Sequence, residues 1–237
     1  MTKTFLQAEW RKLAMANYVV DPKLLQPYLP GKTEVDLWNN NCYVSLVGFM
    51  FLNTKVIGFK VPFHTDFEEV NLRFYVRFKE NEVWKRGVVF IKEIVPKPAL
   101  TFVANTVYGE NYETMPMAHS WILEADEQII EYKWRKRDRC HSFKVRTGIE
   151  LLEISEGSEE EFITEHYWGY TKIKNNKTSE YGVEHPRWNI YRTLDYNIDV
   201  DFGNVYGENF SFLNNINPHS VFLAEGSLIE VKSGRIV

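Results

Sequence analysis

Residues 63–78 read FHTDFEEVNLRFYVRF. At period two, Val70, Leu72, Phe74, Val76 and Phe78 fall on one side of an extended chain, and Glu69, Asn71, Arg73, Tyr75 and Arg77 fall on the other. The apolar side is a core face. The polar side has two readings: a solvated face with an ordinary ion pair, which is the default of a half-buried strand, or the wall of a pocket. In a pocket, Glu69, Asn71 and Arg73 present acceptors and a guanidinium fork, the groups that hold a carboxylate or a carbonyl.

The stretches around this segment have the same character. EVDLWNNNCYVSLVGFMFL and VWKRGVVFIKEIV are rich in Val, Phe, Tyr and Ile with Asn or Gly punctuation, so they read as strands. So do SWILEADEQIIEYKWRKRDRCHSFKVRTG, with turns such as KRDR, and the C-terminal VEHPRWNIYRTLDYNIDVDFG and SVFLAEGSLIEVKSG. KIKNNKTSEYG reads as a polar loop or hairpin. Helical signals are few. Asp21 caps DPKLLQPYLPGK with Pro22 at the first position, PALTFVANTVYG runs from Pro98 to Gly109, and Ser158 with Glu161 forms a capping box for a helix through about His166. Strands with a few short helices, no repeat and no linker predict one domain over residues 1–237. Its class is α+β, mainly β, built on a curved or closed antiparallel-rich sheet.

Composition narrows the function classes. A 15% aromatic content leans toward β structure with aromatic-lined interiors, and 44% hydrophobic residues supply a core without staples. The net charge of −4 argues against a general nucleic-acid binder. Neither a leader nor a spanning segment is read in the chain, so a cytoplasmic protein is expected, with no membrane partner. Cys42 and Cys140 stand far apart without CxxC spacing and read as reduced, structural thiols.

Other clusters read as scaffolding. His64, Asp66 and Glu68 alternate, but Pro62 and Thr65 favour a turn and spacing places no second histidine with them, so no metal is expected. Lys133, Arg135, Arg137 and Arg139, interleaved with Tyr132 and Trp134, read as a solvated face rather than a nucleic-acid stripe. His185 and His219 sit beside prolines with no nucleophile motif. Lys97, between Pro96 and Pro98 where a strand gives way to a helix, has two readings: a surface lysine in a turn, or an amine whose pKa is lowered by burial and the helix N-terminus toward Schiff-base chemistry.

The stretches VDPKLLQPYLP, CYVSLVGFMF, GFKVPFHTDFEEVNLRFYVR, RGVVFIKEIVPK and SVFLAEGS together resemble the YqjF-like family of uncharacterised proteins (DUF2071), of the acetoacetate decarboxylase-like superfamily. The resemblance covers nearly the whole chain. It implies a curved sheet closing into a cone or barrel around an internal pocket, with the polar face of EEVNLRFY looking inward. It aligns Lys97 with the Schiff-base lysine of the decarboxylases and Glu69 or Glu68 with the pocket carboxylate, while Pro98 stands where a second, pKa-lowering lysine belongs. Period two places Lys92 on the face of Phe90 and Ile94.

The expectation is therefore a pocket that binds a small carbonyl or anionic metabolite. Glu68, Asn71, Arg73 and Tyr75 are its ligand-binding residues, and Glu69 and Lys97 are its candidate catalytic groups. No cofactor is expected, and the chain is expected to be a monomer or homodimer. The alternative is a Schiff-base enzyme on a small keto acid or aldehyde using Lys97. With Pro98 in place of a second cation, Lys97 is expected at the pocket or its rim without strong Schiff-base activity.

Overall fold

The computed structural model describes residues 3–173 and 177–237. Its strands are β1 (Thr4–Val20), β2 (Thr33–Val35), β3 (Cys42–Val56), β4 (Phe67–Glu80), β5 (Val83–Val95), β6 (Tyr112–Thr114), β7 (Met117–Leu123), β8 (Glu127–Lys136), β9 (Arg139–Glu153), β10 (Trp168–Ile173), β11 (Lys177–Glu184), β12 (Asn189–Asp199), β13 (Ser220–Lys232) and β14 (Arg235–Ile236). Between them lie the helices α1 (Pro98–Val103), α2 (Glu159–Thr164) and α3 (Phe202–Tyr206), and 3-10 turns at Pro22–Tyr28 and Glu208–Asn215.

Among the described residues, all the strands belong to one curved mixed sheet. Along it run β11, β10, β5, β4, β3, β1, β13, β12, β9, β8 and β7, and the path rejoins itself where Val183 of β11 pairs with Val231 of β13. The pairings are antiparallel except β5 with β10 and β5 with β6. The class is thus the α+β, mainly β arrangement expected from the strand-rich sequence, with a curved sheet.

β4 stands near the middle of this path, and from Glu69 to Val76 both of its faces are buried. Val70, Leu72, Phe74, Val76 and Phe78 pack in one core with Tyr132, Trp134, Phe143 and Val145 from β8 and β9, and with Phe202 and Phe210. Each fully buried side chain of this size contributes about 1.5–3 kcal/mol. On the other face Tyr75 joins Tyr43, Phe49, Phe51, Phe67 and Phe162. The solvated reading is thereby excluded for Glu69, Asn71 and Arg73, at 3%, 1% and 8% exposed, and holds for Arg77, which keeps an exposed ion pair with Glu34.

Local signals hold where short-range chemistry sets them. Asp21 accepts a hydrogen bond from the Lys23 amide, and Ser158 Oγ accepts from the Glu161 amide. Glu161 returns its carboxylate to the Gly157 amide at 2.6 Å rather than to Ser158, and α2 ends at Thr164, two residues short of His166. The helix begun by Pro98 continues to Tyr108 and stops at Gly109, whose φ of 71° is the left-handed cap glycine adopts most readily. Within KIKNNKTSEYG, β10 and β11 pair as a hairpin, and residues 174–176 lie outside the described residues. In the basic stripe, Lys133 meets Glu131 and Arg139 meets Asp199 and Asp201, as on a solvated face. Burial pushes the Cys42 thiol up to about 12, so it behaves as core rather than nucleophile.

Candidate functional site

The inner face of the curved sheet encloses a cavity of about 400 Å³. Trp10 from β1, Phe49 and Phe51 from β3, Phe67 from β4, and Val88 and Phe90 from β5 supply much of its wall. Phe51 stacks on Phe67 at 4.7 Å, and Trp10 meets Phe49 edge-on at 5.3 Å. Val61, Leu100 and Val103 also border the cavity, and Val61 and Val103 are exposed, so the loop before β4 and helix α1 flank its mouth. This is an apolar container with a few polar groups, the usual form of a small-molecule site.

Those polar groups come from adjacent strands. β4 places Glu69, Asn71 and Arg73 on the cavity side at every second residue. On β5, Asn71 pairs with Glu93 and Arg73 with Phe90, while Leu72 pairs with Lys92, so Ile91 is an extra residue, a β-bulge. The bulge flips the side chains beyond it. Phe90 lines the cavity, and the next position to do so is Glu93 instead of Lys92. Lys92 turns to the opposite side and donates to Glu113 at 2.7 Å and to the Val205 carbonyl at 2.6 Å. Simple alternation, which puts Lys92 with Phe90, is corrected by that one residue.

β6 lies parallel to β5 with Tyr112 opposite Glu93, and the turn at Gly109 delivers Glu110 to the same region. On β10, Gly169 faces Tyr181: a Cβ there would stand 2.1 Å from the Tyr181 ring, so a side chain would displace this cavity-lining tyrosine.

The cluster is incompletely hydrogen-bonded. Asn71 Nδ2 donates to Glu69 Oε1 at 2.9 Å, Tyr112 donates to Glu69 Oε2 at 3.4 Å, and Thr171 donates to Glu110 at 2.6 Å. Among the described residues, Glu93 Oε2, Asn71 Oδ1 and Arg73 Nε are buried without a partner. Among the described residues Arg73 donates to the Ile163 carbonyl alone, at 3.5 Å, and it lies 5.7 Å from the centre of the Tyr75 ring. Buried polar atoms are normally paired, so a set of orphans around one cavity marks where a ligand's polar atoms or water belong.

Burial also dominates the titration. It raises the Glu69 carboxyl to about 7 despite the Asn71 and Tyr112 hydrogen bonds and the Arg73 charge, and raises Glu110 to about 7 against its bond from Thr171. Glu93 goes well above the ordinary carboxylate value through burial and then the charges of Glu110 and Glu69. Three acids so close cannot all ionise, and near neutrality they share protons. A protonated carboxyl donates a hydrogen bond, so the cavity offers donors to a carbonyl oxygen as well as the Arg73 charge.

Three of the expected site residues are elsewhere. Glu68 alternates to the other side of β4 and holds His119 Nδ1 at 2.7 Å. Tyr75, fully buried, bonds Ser45 Oγ at 2.7 Å and supports the site from below without lining it. Lys97 is half-buried at the N-cap of α1 and is not among the cavity-lining residues, because β5 ends at Val95 and its alternation stops there. Lys232 does line the cavity, but Glu184 and Glu230 hold it at 2.8 and 2.7 Å and raise its affinity for the proton. Sequence reading missed Glu93, Glu110, Tyr112 and His166. The acids had no visible signal except their place near a bulge and a helix end. His64, Asp66 and Glu68 disperse: His64 contacts the Pro62 carbonyl and Asp66 accepts the Asn53 amide.

Residues 7–228 match DUF2071, described as an uncharacterized conserved protein. The chain belongs to the DUF2071 family. The uncharacterized protein YqjF of Bacillus subtilis (strain 168) is 26% identical over 187 residues, 77% of this chain and 74% of YqjF. Among solved structures, the acetoacetate decarboxylase of Legionella pneumophila matches with a TM-score of 0.67 at 12% identity, covering 98% of this chain and 87% of that one. The enduracididine biosynthesis enzyme MppR complexed with pyruvate matches with a TM-score of 0.69 at 11% identity, over 100% of this chain and 91% of MppR. At these identities the likeness concerns the fold, which is acetoacetate decarboxylase-like in this family member.

Proposed function

We propose that the cavity binds a small carbonyl compound or carboxylate, with the ligand's polar head at Arg73 and Asn71 and its apolar body along the aromatic wall. The observation that carries this reading is Arg73: a buried guanidinium whose Nε has no partner among the described residues, in a mainly apolar cavity whose other polar groups are chiefly acids. An unpaired buried donor costs about 1–3 kcal/mol, and an anionic or carbonyl ligand removes that cost. Proton sharing among Glu69, Glu93 and Glu110 lowers the negative charge such a ligand would meet. The pyruvate complex of the fold relative MppR supports the same ligand class. We read the chain as one cytoplasmic domain, monomer or homodimer, with neither nucleic acid nor membrane as its partner.

A decarboxylase-like Schiff base at Lys97 is the weaker reading, since it needs an uncharged amine within the cavity. Calorimetric titration with pyruvate, acetoacetate and longer 2-oxo acids tests both. Binding is expected in the unaltered protein and is expected to weaken at least about tenfold in Arg73→Gln, the loss of one charged hydrogen bond. Equal binding by Arg73→Gln overturns the proposal. Borohydride trapping of the same compounds on Lys97, abolished in Lys97→Ala, would reinstate the Schiff-base enzyme.

A further inference from the structure

A second polar group, His166, faces the same cavity and shares the Tyr75 ring with Arg73. His166 follows α2 and lines the cavity with its side chain 1% exposed, its ring packed 4.8 Å from Tyr75 and 5.0 Å from Phe162. Its Nε2 lies 3.2 Å from Asp36 Oδ2. Asp36 is itself held twice: Arg86 Nε donates to the same oxygen at 2.7 Å, and the Asp36 amide donates to the Tyr75 carbonyl at 2.9 Å. The hydrogen bonds from His166 and Arg86 outweigh burial and keep the Asp36 carboxyl below its ordinary value, so it is an ionised acceptor.

An ionised carboxylate can only accept, so the nitrogen facing it carries the proton. Burial, aided by the Arg86 and Arg73 charges and opposed by Asp36, lowers His166 to about 4, which leaves the ring neutral at physiological pH. Nδ1 is then a bare lone pair. It is buried and has no hydrogen-bond partner among the described residues. Arg73, whose unpaired Nε is a donor, lines the same cavity, and its Nη2 reaches the carbonyl of Ile163, three residues before His166.

The site thus combines an unpaired donor on Arg73 with an unpaired acceptor on His166. We propose that His166 Nδ1, fixed by Asp36 and Arg86, accepts a hydrogen bond from a hydroxyl on the ligand, so that the ligands of this cavity are hydroxy acids or hydroxy ketones. This rests on the proposed role of Arg73 and names the class within it. A plain keto acid or deoxy acid leaves Nδ1 unsatisfied, and buried acceptors discriminate against analogues that lack the matching donor. Asp36 and Arg86 are positioning residues here, because they act through the imidazole.

The test compares 3-phenyllactate with 3-phenylpropanoate, two acids of one skeleton that differ by the hydroxyl. Calorimetry is expected to show the hydroxy acid binding about tenfold tighter, the effect of one buried hydrogen bond, and His166→Phe is expected to remove that preference while retaining Arg73-dependent binding. Nitrogen NMR of 15N-histidine-labelled protein is expected to show His166 protonated at Nε2 only, with the Nδ1 signal moving when phenyllactate is added and staying when phenylpropanoate is added. Equal affinity for the two acids, with loss of both in Arg73→Gln, overturns the hydroxyl assignment alone. Absence of binding by either acid, or binding indifferent to Arg73→Gln, overturns it together with the reading beneath it. Should His166→Phe fail to fold, the NMR of the unaltered protein decides: a ring protonated at Nδ1 overturns the assignment.

Discussion

Two regions on either side of β5 use the same residue type to opposite effect. On the outer side, burial opposes ionisation of Glu113, yet the hydrogen bonds from Lys92 at 2.7 Å and Lys136 at 2.9 Å outweigh it and hold its carboxyl below the ordinary value. On the inner side, Glu93 meets Glu69 and Glu110 instead of lysines, and its carboxyl is pushed well above that value. Lys92 and Glu93 are neighbours in sequence. Alternation puts them on opposite sides, and the extra residue Ile91 decides which side, sending the lysine outward and the glutamate inward. Local composition alone therefore does not say whether an acidic residue belongs to an ion pair or to a cavity; the side of the sheet does.

The largest expected effect contrasts the two faces of β4. Leu72→Ala, on the fully packed side, should lose about 2–5 kcal/mol in urea unfolding, whereas Asn71→Ala, on the cavity side, should lose distinctly less because it borders space already open. Equal losses would mean that the inner face is as tightly filled as the outer one.

A smaller effect tests the inner acids through pH. The folded Glu69 carboxyl holds its proton to about 7, against a reference value of 4.5. Below the reference value both folded and unfolded chains are protonated; above it only the unfolded chain releases the proton, so stability falls as pH rises through this window, by at most about 3 kcal/mol. Glu69→Gln has no proton to release. Its melting temperature should exceed that of the unaltered protein above about pH 7 by a margin that narrows toward about pH 4.5, and a margin independent of pH would place Glu69 in contact with bulk water.

The same substitution on the outer side should do least and with the opposite sign. Glu113→Gln removes a partly exposed carboxylate from two lysines, where solvent screening leaves about 0.5 kcal/mol, at most about 1. Because the folded value is depressed, that stabilisation is present above the reference value and lost as pH falls through the folded one. Added salt should weaken it while leaving the Glu69 effect nearly unchanged. A large, salt-independent loss would contradict the contrast.

Much of the fold was legible because its signals are short in range. The period-two alternation of residues 70–78 sorts correctly into two faces, and the caps at Asp21, Ser158 and Gly109 rest on hydrogen bonds or dihedral angles spanning four residues or fewer. The candidate site was legible only along β4, where Glu69, Asn71 and Arg73 obey that alternation. Glu68 and Tyr75 missed the cavity, the first by facing the other side and the second by lying beneath Arg73 and His166. Lys97 missed it because the pattern ends with the strand.

Sequence by itself thus determined that this chain has a strand-rich α+β fold with one apolar and one polar face on β4, since side-chain alternation follows from backbone geometry alone. Whether that polar face met water or a cavity was decided by closure of the sheet through β11 and β13, a pairing of residues 183 and 231 that no local pattern records. Closure, the bulge at Ile91 and the turn at Gly109 then gathered Glu93, Glu110 and His166 around Arg73 from distant parts of the chain. The physical reason is that burial and proximity set the charge of an ionisable group, and both are properties of the folded surface rather than of the residue.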